Sequence, residues 1–418
     1  MKHIQLLTYL LIGVFSFGQE NAKEYLETLC SPELHGRGYV KKGDKKAAKY
    51  IEKKFKEIGL QPVPGQKKYF QNFTLDVNTF PNKSDLYLDG KKLVPGQDFI
   101  INSNSPKIKG NYKLIELDVN RIGDKEYVGR TMSQLTYESV FKIVMPNTSN
   151  RDTLITYHQV VNELASIKPV LFFHDNKFTW SVGRNTFKNA VFEVKKSFSK
   201  AEKIEVNFSQ KFVKNYTSQN VIGYLPSNKK TNKTIVICGH YDHLGRMGKE
   251  AYFPGANDNA SGIAMILSLA EKFNKNPIDK NIVFIAFGAE EAGLVGSNYF
   301  VNNPTVGLDS IYFVLNIDIM GSGDKGITMV NASDQKDAFD KMTNINDQHD
   351  HLYEIKKRGQ TKNSDHYPFS SKGVNAVFIY TQGDNHNYHD IYDLPKDVSM
   401  ESFKKVYNLF VDFVKQHP

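Results

Sequence analysis

The sequence predicts an α/β fold with a mixed, largely parallel central sheet and a mainly β inserted domain. The second half of the chain contains short apolar runs without polar alternation, as in strands that are buried on both faces. A helical pattern lies between the first two runs, and strands that alternate with helices are typical of parallel α/β sheets. The runs are "TIVICGH" at 234–240, "NIVFIAFG" at 281–288, "IYFVLNID" at 311–318 and "AVFIY" at 376–380.

The N-terminus reads "MKHIQLLTYLLIGVFSFGQE". Lys2 precedes an apolar run that is short for a membrane span and is followed by polar residues, which is the pattern of a secretory signal peptide. We therefore expect residues 1–18 to direct export to the periplasm or the extracellular space, without stable insertion into the membrane. A buried first helix is the alternative interpretation.

Three further stretches predict helices. Residues 41–60 carry apolar side chains at helical spacing, and Gly59 marks the end of that helix. The run "ASGIAMILSLAEKF" places Ile263, Phe273 and the apolar residues between them on one face. A last helical pattern covers residues 399–415.

The middle of the chain has a different character. Residues 84–200 contain short strand patterns, a hairpin signal at Asp89–Gly90 and one helical stretch near 153–167. This composition predicts a mainly β inserted domain. The catalytic domain is then discontinuous and consists of residues 19–83 and 201–418.

The composition is that of a soluble globular protein of 418 residues. Lysine and arginine outnumber aspartate and glutamate by 54 to 45, but the lysines are scattered rather than gathered in a stripe. We therefore expect no nucleic-acid partner. Cys30 and Cys238 lie far apart in the sequence and give no disulfide framework, and Cys238 falls in an apolar strand pattern. Neither supports a thiolate nucleophile or a cysteine metal site.

Acids and imidazoles follow the predicted strands of the second half. In open α/β sheets, chemistry gathers beyond the carboxyl ends of the strands. Side chains that follow neighbouring strands therefore meet at one edge. In chain order these residues are His240, Asp242 and His243; Asp258, in the loop "GANDNASG"; Glu290 and Glu291; Asp318; and His386 and His389.

This edge predicts a metal centre. Two histidines and three carboxylates match the nitrogen and oxygen ligands that zinc accepts. Several carboxylates crowded together without a cation would raise each other's pKa, whereas a pair of divalent ions removes the repulsion. A shared carboxylate can bridge two metals about 3.5–4 Å apart. We predict that Asp258 is this bridge, and that the small residues of its loop let the metals approach closely.

Taken together, these segments resemble a known family. "GHYDH", "GANDNASG", "AEEAGLVGS", "NIDIMG", "SDHYPF" and "NYHDIYD" resemble, in order, the signature segments of the co-catalytic di-zinc aminopeptidases. Relatives in that family include glutamate carboxypeptidases, glutaminyl cyclases and the transferrin-receptor ectodomain. The resemblance covers residues 210–418 and the N-terminal "SPELHGRG" with its following helix. It implies a three-layer α/β/α zinc exopeptidase fold, and the position of 84–200 is similar to that of a protease-associated insertion.

The resemblance also implies a set of metal ligands. His240 and Asp318 would hold one Zn²⁺ ion, and Glu291 and His389 would hold a second. Asp258 would contact both ions. His386 competes with His389 for the last position, and the spacing from His389 to Asp393 in "NYHDIYD" favours His389.

Three more residues acquire catalytic roles from the resemblance. Glu290 would be the general base, which takes a proton from the attacking water and gives it to the leaving amine. Asp242 would orient ligands, and Tyr388 would donate a hydrogen bond to the oxyanion. His243 and His366 receive no clear role, and ordinary packing explains them equally well.

These features predict an exported zinc-dependent exopeptidase that acts on peptides with a free N-terminus. Other readings remain open. A glutaminyl cyclase would use one zinc, and a carboxypeptidase or dipeptidase would need a basic group such as Arg358 for the substrate carboxylate. A non-catalytic binding protein is the alternative from another class. The preferred N-terminal residue and the oligomeric state cannot be read from the sequence.

Overall fold

The computed structural model describes residues 17–416. The predicted signal peptide, residues 1–18, lies outside this range except for its last two residues, which begin the first helix. Among the described residues, no helix combines the length and the apolar character needed to cross a bilayer. The helices are α1 (Phe17–Leu29), α2 (Gly43–Ile58), α3 (Lys125–Ser133), α4 (Arg151–Leu164), α5 (Ser261–Lys275), α6 (Val295–Asn302), α7 (Lys336–His349), α8 (His366–Ser370) and α9 (Met400–Gln416).

The strands form two large sheets and a short two-stranded ribbon. In chain order they are β1 (Phe70–Thr79), β2 (Ser84–Leu88), β3 (Lys91–Lys92), β4 (Phe99–Ile101), β5 (Ile108–Glu116), β6 (Ser139–Val144), β7 (Val170–His174), β8 (Val191–Lys195), β9 (Lys203–Phe208), β10 (Lys211–Leu225), β11 (Thr234–His240), β12 (Arg246–Met247), β13 (Ala251–Tyr252), β14 (Asn281–Phe287), β15 (Ile311–Ile317), β16 (Ile327–Val330), β17 (Ile355–Lys357) and β18 (Ala376–Thr381).

The central sheet has the order β1-β10-β14-β11-β15-β18-β16-β17. Strands β14, β11, β15 and β18 are neighbours and run parallel, whereas β1, β10 and β16 each pair antiparallel with a neighbour. The four apolar runs identified in the sequence form this parallel centre. The predicted mixed, largely parallel sheet is therefore confirmed.

Helices cover both faces of the central sheet, which gives the predicted three layers. Helices α1, α2, α5, α7 and α9 pack on one face, and α6 and α8 pack on the other. Within β11, Ile237 points into the first layer while Val236 and Cys238 point into the second, so the strand is apolar on both sides. Ile263 and Phe273 of α5 are fully buried, as the helical pattern predicted.

The inserted region builds the second sheet, with the order β3-β2-β9-β5-β6-β7-β8-β4. Its hairpin turns at Asp89 and Gly90, which have φ values of 46° and 80°. The predicted helical stretch is α4, and α3 is an additional helix that the sequence did not suggest. Strand β9 pairs with β2 and β5 of this sheet. The inserted sheet therefore extends through Phe208, beyond the boundary predicted at residue 200.

Candidate metal centre

The parallel centre of the sheet brings the predicted ligands to one edge. His240 is the last residue of β11, Asp318 directly follows β15, and Glu291 lies in the turn after β14. His389 lies in the long loop after β18, and Asp258 lies in the wide helical turn Ala256–Ala260 that leads into α5. Because these strands are parallel neighbours, their carboxyl ends deliver all five side chains to the same place.

The Asp258 carboxylate occupies the middle of the cluster. Its Oδ1 lies 3.3 Å from Nε2 of His240, and its Oδ2 lies 3.1 Å from Nε2 of His389. Asp318 Oδ1 is 3.3 Å from the same His240 nitrogen, and Glu291 Oε2 is 3.1 Å from the same His389 nitrogen. The cluster therefore has two halves, each with one imidazole and one carboxylate, and Asp258 is shared between them.

Both imidazoles present the nitrogen that a metal requires. His240 Nδ1 lies 3.1 Å from the Asp242 carbonyl oxygen, and His389 Nδ1 lies 2.9 Å from the Trp180 carbonyl oxygen. A carbonyl oxygen only accepts hydrogen bonds, so Nδ1 carries the proton in each ring. Nε2, the nitrogen directed at the carboxylates, is then available as a ligand.

The charges of the cluster are strongly coupled. Burial alone would lower the pKa of His389, but Glu291 and Asp258 outweigh it and raise this pKa to about 11. Burial would likewise lower the pKa of His240, and Asp318 and Glu290 raise it well above its usual value. Burial opposes ionisation of Asp258, yet its hydrogen bonds to the two histidines hold its pKa well below the ordinary range. The buried carboxylates of the cluster therefore favour a positive charge next to Asp258.

The donor set fits a divalent cation of the zinc type. Ligand atoms of His240, Asp258 and Glu291 all lie within 4.8 Å of one another. Imidazole nitrogen and carboxylate oxygen are ligands that zinc accepts, and a dication satisfies the same carboxylates without protonated imidazoles. Cys30 and Cys238 are buried free thiols, and the Cys238 thiol lies 3.7 Å from Asn316 Oδ1.

Asp242 organises the turn that carries the two glutamates. Its Oδ1 accepts a hydrogen bond from the Glu290 N–H at 3.0 Å, and its Oδ2 accepts one from the Glu291 N–H at 3.3 Å. The carboxylate is 4.0 Å from His240 Nδ1, which is closer to the Asp242 carbonyl. Asp242 therefore orients His240 through its main chain and the turn through its side chain. Burial raises the pKa of its carboxyl to about 8.

Glu290 and Tyr388 border the cluster. Burial raises the pKa of Glu290 well above its usual value; His240 opposes this shift, and Asp365 and Glu291 reinforce it. The Tyr388 ring stacks on the His389 imidazole with centroids 3.9 Å apart, and the side chain is partly exposed. Burial and the nearby acids also raise the pKa of the Tyr388 hydroxyl.

The structure separates the histidines that the sequence left ambiguous. His389 lies in the cluster, whereas His386 is exposed and its carbonyl oxygen accepts a hydrogen bond from Lys177. His243 is buried, with Nδ1 2.7 Å from Glu291 Oε1. The His366 ring packs against Phe378, at 5.5 Å between centroids.

Two buried groups that hold the Asp258 loop were not given this role from the sequence. Asp393 accepts hydrogen bonds from the N–H groups of Asn257 and Asp258, at 2.8 and 3.0 Å. Arg37 is completely buried and donates to main-chain carbonyls from several segments of the chain. Their positions in "NYHDIYD" and "SPELHGRG" were the available signals. The carbonyls that accept from Arg37 are those of Leu29, Tyr241, Pro254, Gly255 and Asp258.

Asp365 and the Ser364 hydroxyl lie next to the Asp318 carboxylate of the cluster. Ser364 Oγ donates to Asp318 Oδ2 at 3.2 Å, which orients that carboxylate. Asp365 is fully buried next to these groups, and burial raises its pKa to about 6. Arg358, the alternative carboxylate-binding group, is exposed and donates to the Tyr380 hydroxyl at 3.2 Å.

Part of the chain matches a known protein family. Residues 220–414 match the family model of Peptidase family M28, and this stretch contains every side chain of the cluster. Aminopeptidase YwaD of Bacillus subtilis is 30% identical over 278 residues, which cover 61% of this chain and 57% of that protein. The chain thus matches little more than half the length of this relative.

Solved structures with the same fold cover nearly the whole chain. A zinc aminopeptidase from Bacillus subtilis, BSAP, has a TM-score of 0.70 at 20% identity, over 96% of this chain and 94% of that one. An aminopeptidase from Aneurinibacillus sp. strain AM-1 has a TM-score of 0.63 at 24% identity, over 95% and 93%. At these identities the likeness shows the fold alone.

Proposed function

We propose that this chain is a zinc-dependent exopeptidase that removes N-terminal residues from peptides, as the match of residues 220–414 to the model of peptidase family M28 suggests. The observation that carries the proposal is the position of the Asp258 carboxylate between two imidazole–carboxylate pairs, with one oxygen near each imidazole. A carboxylate in this position can bridge two metals. The names of the similar proteins, which include aminopeptidases and zinc metalloproteases, support the same activity.

The proposed centre would hold two Zn²⁺ ions. His240 and Asp318 would hold one of them, and Glu291 and His389 would hold the other. Asp258 would be shared between the two. The distances between the imidazole nitrogens and these carboxylate oxygens, 3.1–3.3 Å, support the pairing.

The residues around the centre supply the proton transfers. Bound zinc acidifies a water and polarises the scissile carbonyl. Glu290 takes the proton of the attacking water and passes it to the nitrogen of the leaving amine, a role that requires a carboxyl pKa raised toward neutrality. Asp242 fixes the main chain of Glu290 during both transfers. Tyr388 donates a hydrogen bond from its hydroxyl group to the developing oxyanion.

The substrate and the site of action follow from the same proposal. The substrates are peptides with a free N-terminus. The apolar residues 4–17 after Lys2 support export through a signal peptide. The periplasm or the extracellular space is then where hydrolysis takes place.

Hydrolysis of a panel of aminoacyl-anilides tests the activity. We expect zinc-dependent release of the aniline from substrates with a free α-amino group, and at least a hundredfold slower release from the N-acetylated forms. Dialysis against a chelator should abolish the activity, and added zinc should restore it.

The alternative activities give different results in the same samples. Ammonia release from N-terminal glutamine with one zinc per chain would indicate a glutaminyl cyclase. Cleavage of acidic dipeptides with a free C-terminus but not of the anilides would indicate a carboxypeptidase. A zinc-loaded chain that cleaves none of these substrates would refute the peptidase proposal.

A further inference from the structure

A segment of the inserted domain contacts one of the proposed metal ligands directly. Residues 177–180, which lie between β7 and β8 of the second sheet and are called the clamp below, approach the loop that carries His389. The Trp180 N–H donates to the His389 carbonyl oxygen at 2.9 Å. In return, His389 Nδ1 donates to the Trp180 carbonyl oxygen at 2.9 Å. One residue of the inserted domain thus holds both the main chain and the imidazole of this ligand.

Lys177 contacts the residues on either side of His389. Its ammonium group donates to the carbonyl oxygens of His386 and Tyr388, at 2.7 and 3.0 Å. It also pairs with Asp390 Oδ2 at 2.7 Å, and that carboxylate is almost entirely buried. A single charge therefore ties together the residues before and after the ligand.

His389 needs such support because of its backbone conformation. Its φ value is 55°, in the left-handed region. For a residue with a Cβ this conformation costs about 1–2 kcal/mol and persists only where surrounding contacts fix it. The clamp supplies those contacts from outside the central sheet.

Trp180 is itself firmly anchored between the two sheets. Its indole Nε1 donates to the Ile101 carbonyl oxygen of β4 at 2.7 Å. Its ring stacks on Phe253, which precedes the Asp258 loop, with centroids 4.7 Å apart and planes 17° apart. The position of the clamp therefore follows the position of the second sheet.

The other half of the cluster has no such dependence. His240 Nδ1 is held by the carbonyl oxygen of Asp242, two residues further along the same chain segment. Asp318 is held by Ser364, also from the catalytic domain. The two halves thus differ in which domain orients the imidazole.

We propose that the clamp makes the inserted domain a positioning element for one metal site: it sets the zinc affinity of the Glu291–His389 half and leaves the His240–Asp318 half unaffected. The inference rests on the proposed function only for the binding of two zinc ions. Lys177 and Trp180 are positioning residues, since they act through His389. Groups of this kind typically change metal affinity by about 10–100-fold when they are lost.

The test measures the two zinc affinities of the full chain by competition with a chromogenic chelator. Lys177→Ala removes an ammonium group whose side chain is 44% exposed, so the fold should be retained, and circular dichroism checks this. The matched control is Lys195→Ala, a lysine of the same domain with the same 44% exposure, which pairs with Asp98. We expect Lys177→Ala to weaken one zinc about tenfold and leave the other unchanged, while the control binds both as the unmodified chain does.

Three results would overturn the inference. They are unchanged affinity for both ions in Lys177→Ala, an equal loss for both ions, and a single zinc in the unmodified chain. Peptide cleavage is not the readout, so the two proposals can fail separately. A chain that shows the selective loss and cleaves no peptide refutes the proposed function alone. A chain that cleaves peptides and shows no selective loss refutes this inference alone.

Discussion

At the residue scale, the short side chain of Asp258 connects the two halves of the cluster, and its loop is shaped to allow this. Gly255 has a φ value of 57°, and a Cβ there would lie 2.3 Å from the Asp258 carbonyl oxygen. A Cβ on Gly262 would lie 2.1 Å from Asn259 Oδ1. The small residues of the loop are thus required by packing within the protein. Close approach of the metals, the reason inferred from the sequence, stays a prediction.

The proposed base gives the sharpest prediction at this scale. Glu290→Gln keeps the size of the side chain and removes its ability to take a proton. We expect kcat for anilide hydrolysis to fall by about 10²–10⁴-fold, the usual contribution of a general base. Zinc content should not change, because Glu290 is not among the proposed ligands.

Glu401→Gln is the control, since that side chain is 82% exposed at the start of α9. Its activity should equal that of the unmodified chain. If Glu290→Gln retained more than a tenth of the activity with full zinc content, the assignment of the base would be wrong.

Side chains with a characteristic position could be predicted from the sequence, and main-chain partners could not. Asp258 and His389 lie in loops that follow apolar strands of the parallel sheet, and the structure brings them together. The Trp180 carbonyl oxygen also contacts His389. Every residue has a main-chain carbonyl, so the amino-acid sequence does not distinguish this one. The Trp180 ring itself is buried in the core.

At the element scale, Arg37 fastens the N-terminal segment to the Asp258 loop. Its guanidinium bonds to carbonyls from three separate parts of the chain. Lysine has one compact ammonium group and cannot reproduce this planar array of donors. We expect Arg37→Lys to lower the free energy of unfolding by about 3 kcal/mol, because buried carbonyls lose charged partners, and to weaken zinc binding through the loop.

Urea unfolding and chelator competition measure these two effects. The control is Arg246→Lys, where the guanidinium bonds to the nearby Lys249 carbonyl at the surface. That change should cost less than about 0.5 kcal/mol. Equal stability of the Arg37 and Arg246 variants would contradict the proposed role of Arg37.

Helix α2 is joined to β10 by a buried acid with a pH-dependent contribution. Asp44 accepts hydrogen bonds from Tyr216 and Ser218, at 2.6 and 2.9 Å. Burial nevertheless raises its pKa to about 6 from an ordinary value of 3.8, against the effect of these bonds. The folded state therefore binds the Asp44 proton more tightly than the unfolded state. Its contribution to stability is full below about pH 4 and declines as the pH rises to about 6.

Replacement of this acid by an amide should remove the decline. Two pKa units correspond to about 3 kcal/mol, and Asp44→Asn has no proton to lose. We expect the free energy of unfolding of the unmodified chain to fall relative to that of Asp44→Asn between pH 4 and pH 6. Parallel curves for the two proteins in urea unfolding would contradict the raised pKa.

Elements that are buried on both sides were the easiest to predict. The bounds of strands β11 and β14 and of helix α5 agree with their apolar patterns within about two residues. The residues that the pattern marks as apolar are the ones that are buried in the folded protein. Helices α3 and α7 were missed. Much of each lies exposed, so the apolar face is narrow and leaves a weak periodic signal. The sequence prediction placed strand β9 in the catalytic domain. Its partner strand β2 is more than a hundred residues away in the sequence, so no local pattern indicates this pairing.

At the scale of the whole molecule, the proposed metal centre lies where the central sheet meets a segment of the second sheet. The strand ends of the central sheet and the clamp all contribute to this centre. An ion bound there should therefore stabilise the fold as a unit. Free zinc at one hundred times its dissociation constant adds about 2.7 kcal/mol for one site. We expect removal of zinc by a chelator to lower the Tm by a few degrees, and added zinc to restore it.

Magnesium serves as the control ion for this effect. It prefers six oxygen ligands and is poorly matched to imidazole, so the same concentration should leave the Tm near that of the chelated protein. Thermal unfolding followed by circular dichroism measures all three samples. Equal Tm values with and without zinc would contradict a metal centre in this fold.

Anomalous diffraction at the zinc edge tests the central claim most directly. From zinc-soaked crystals we predict two peaks about 3.5–4 Å apart, one beside His240 and Asp318 and the other beside Glu291 and His389, with Asp258 reaching both. Absence of zinc between these side chains, or a single peak that Asp258 does not contact, would contradict the account.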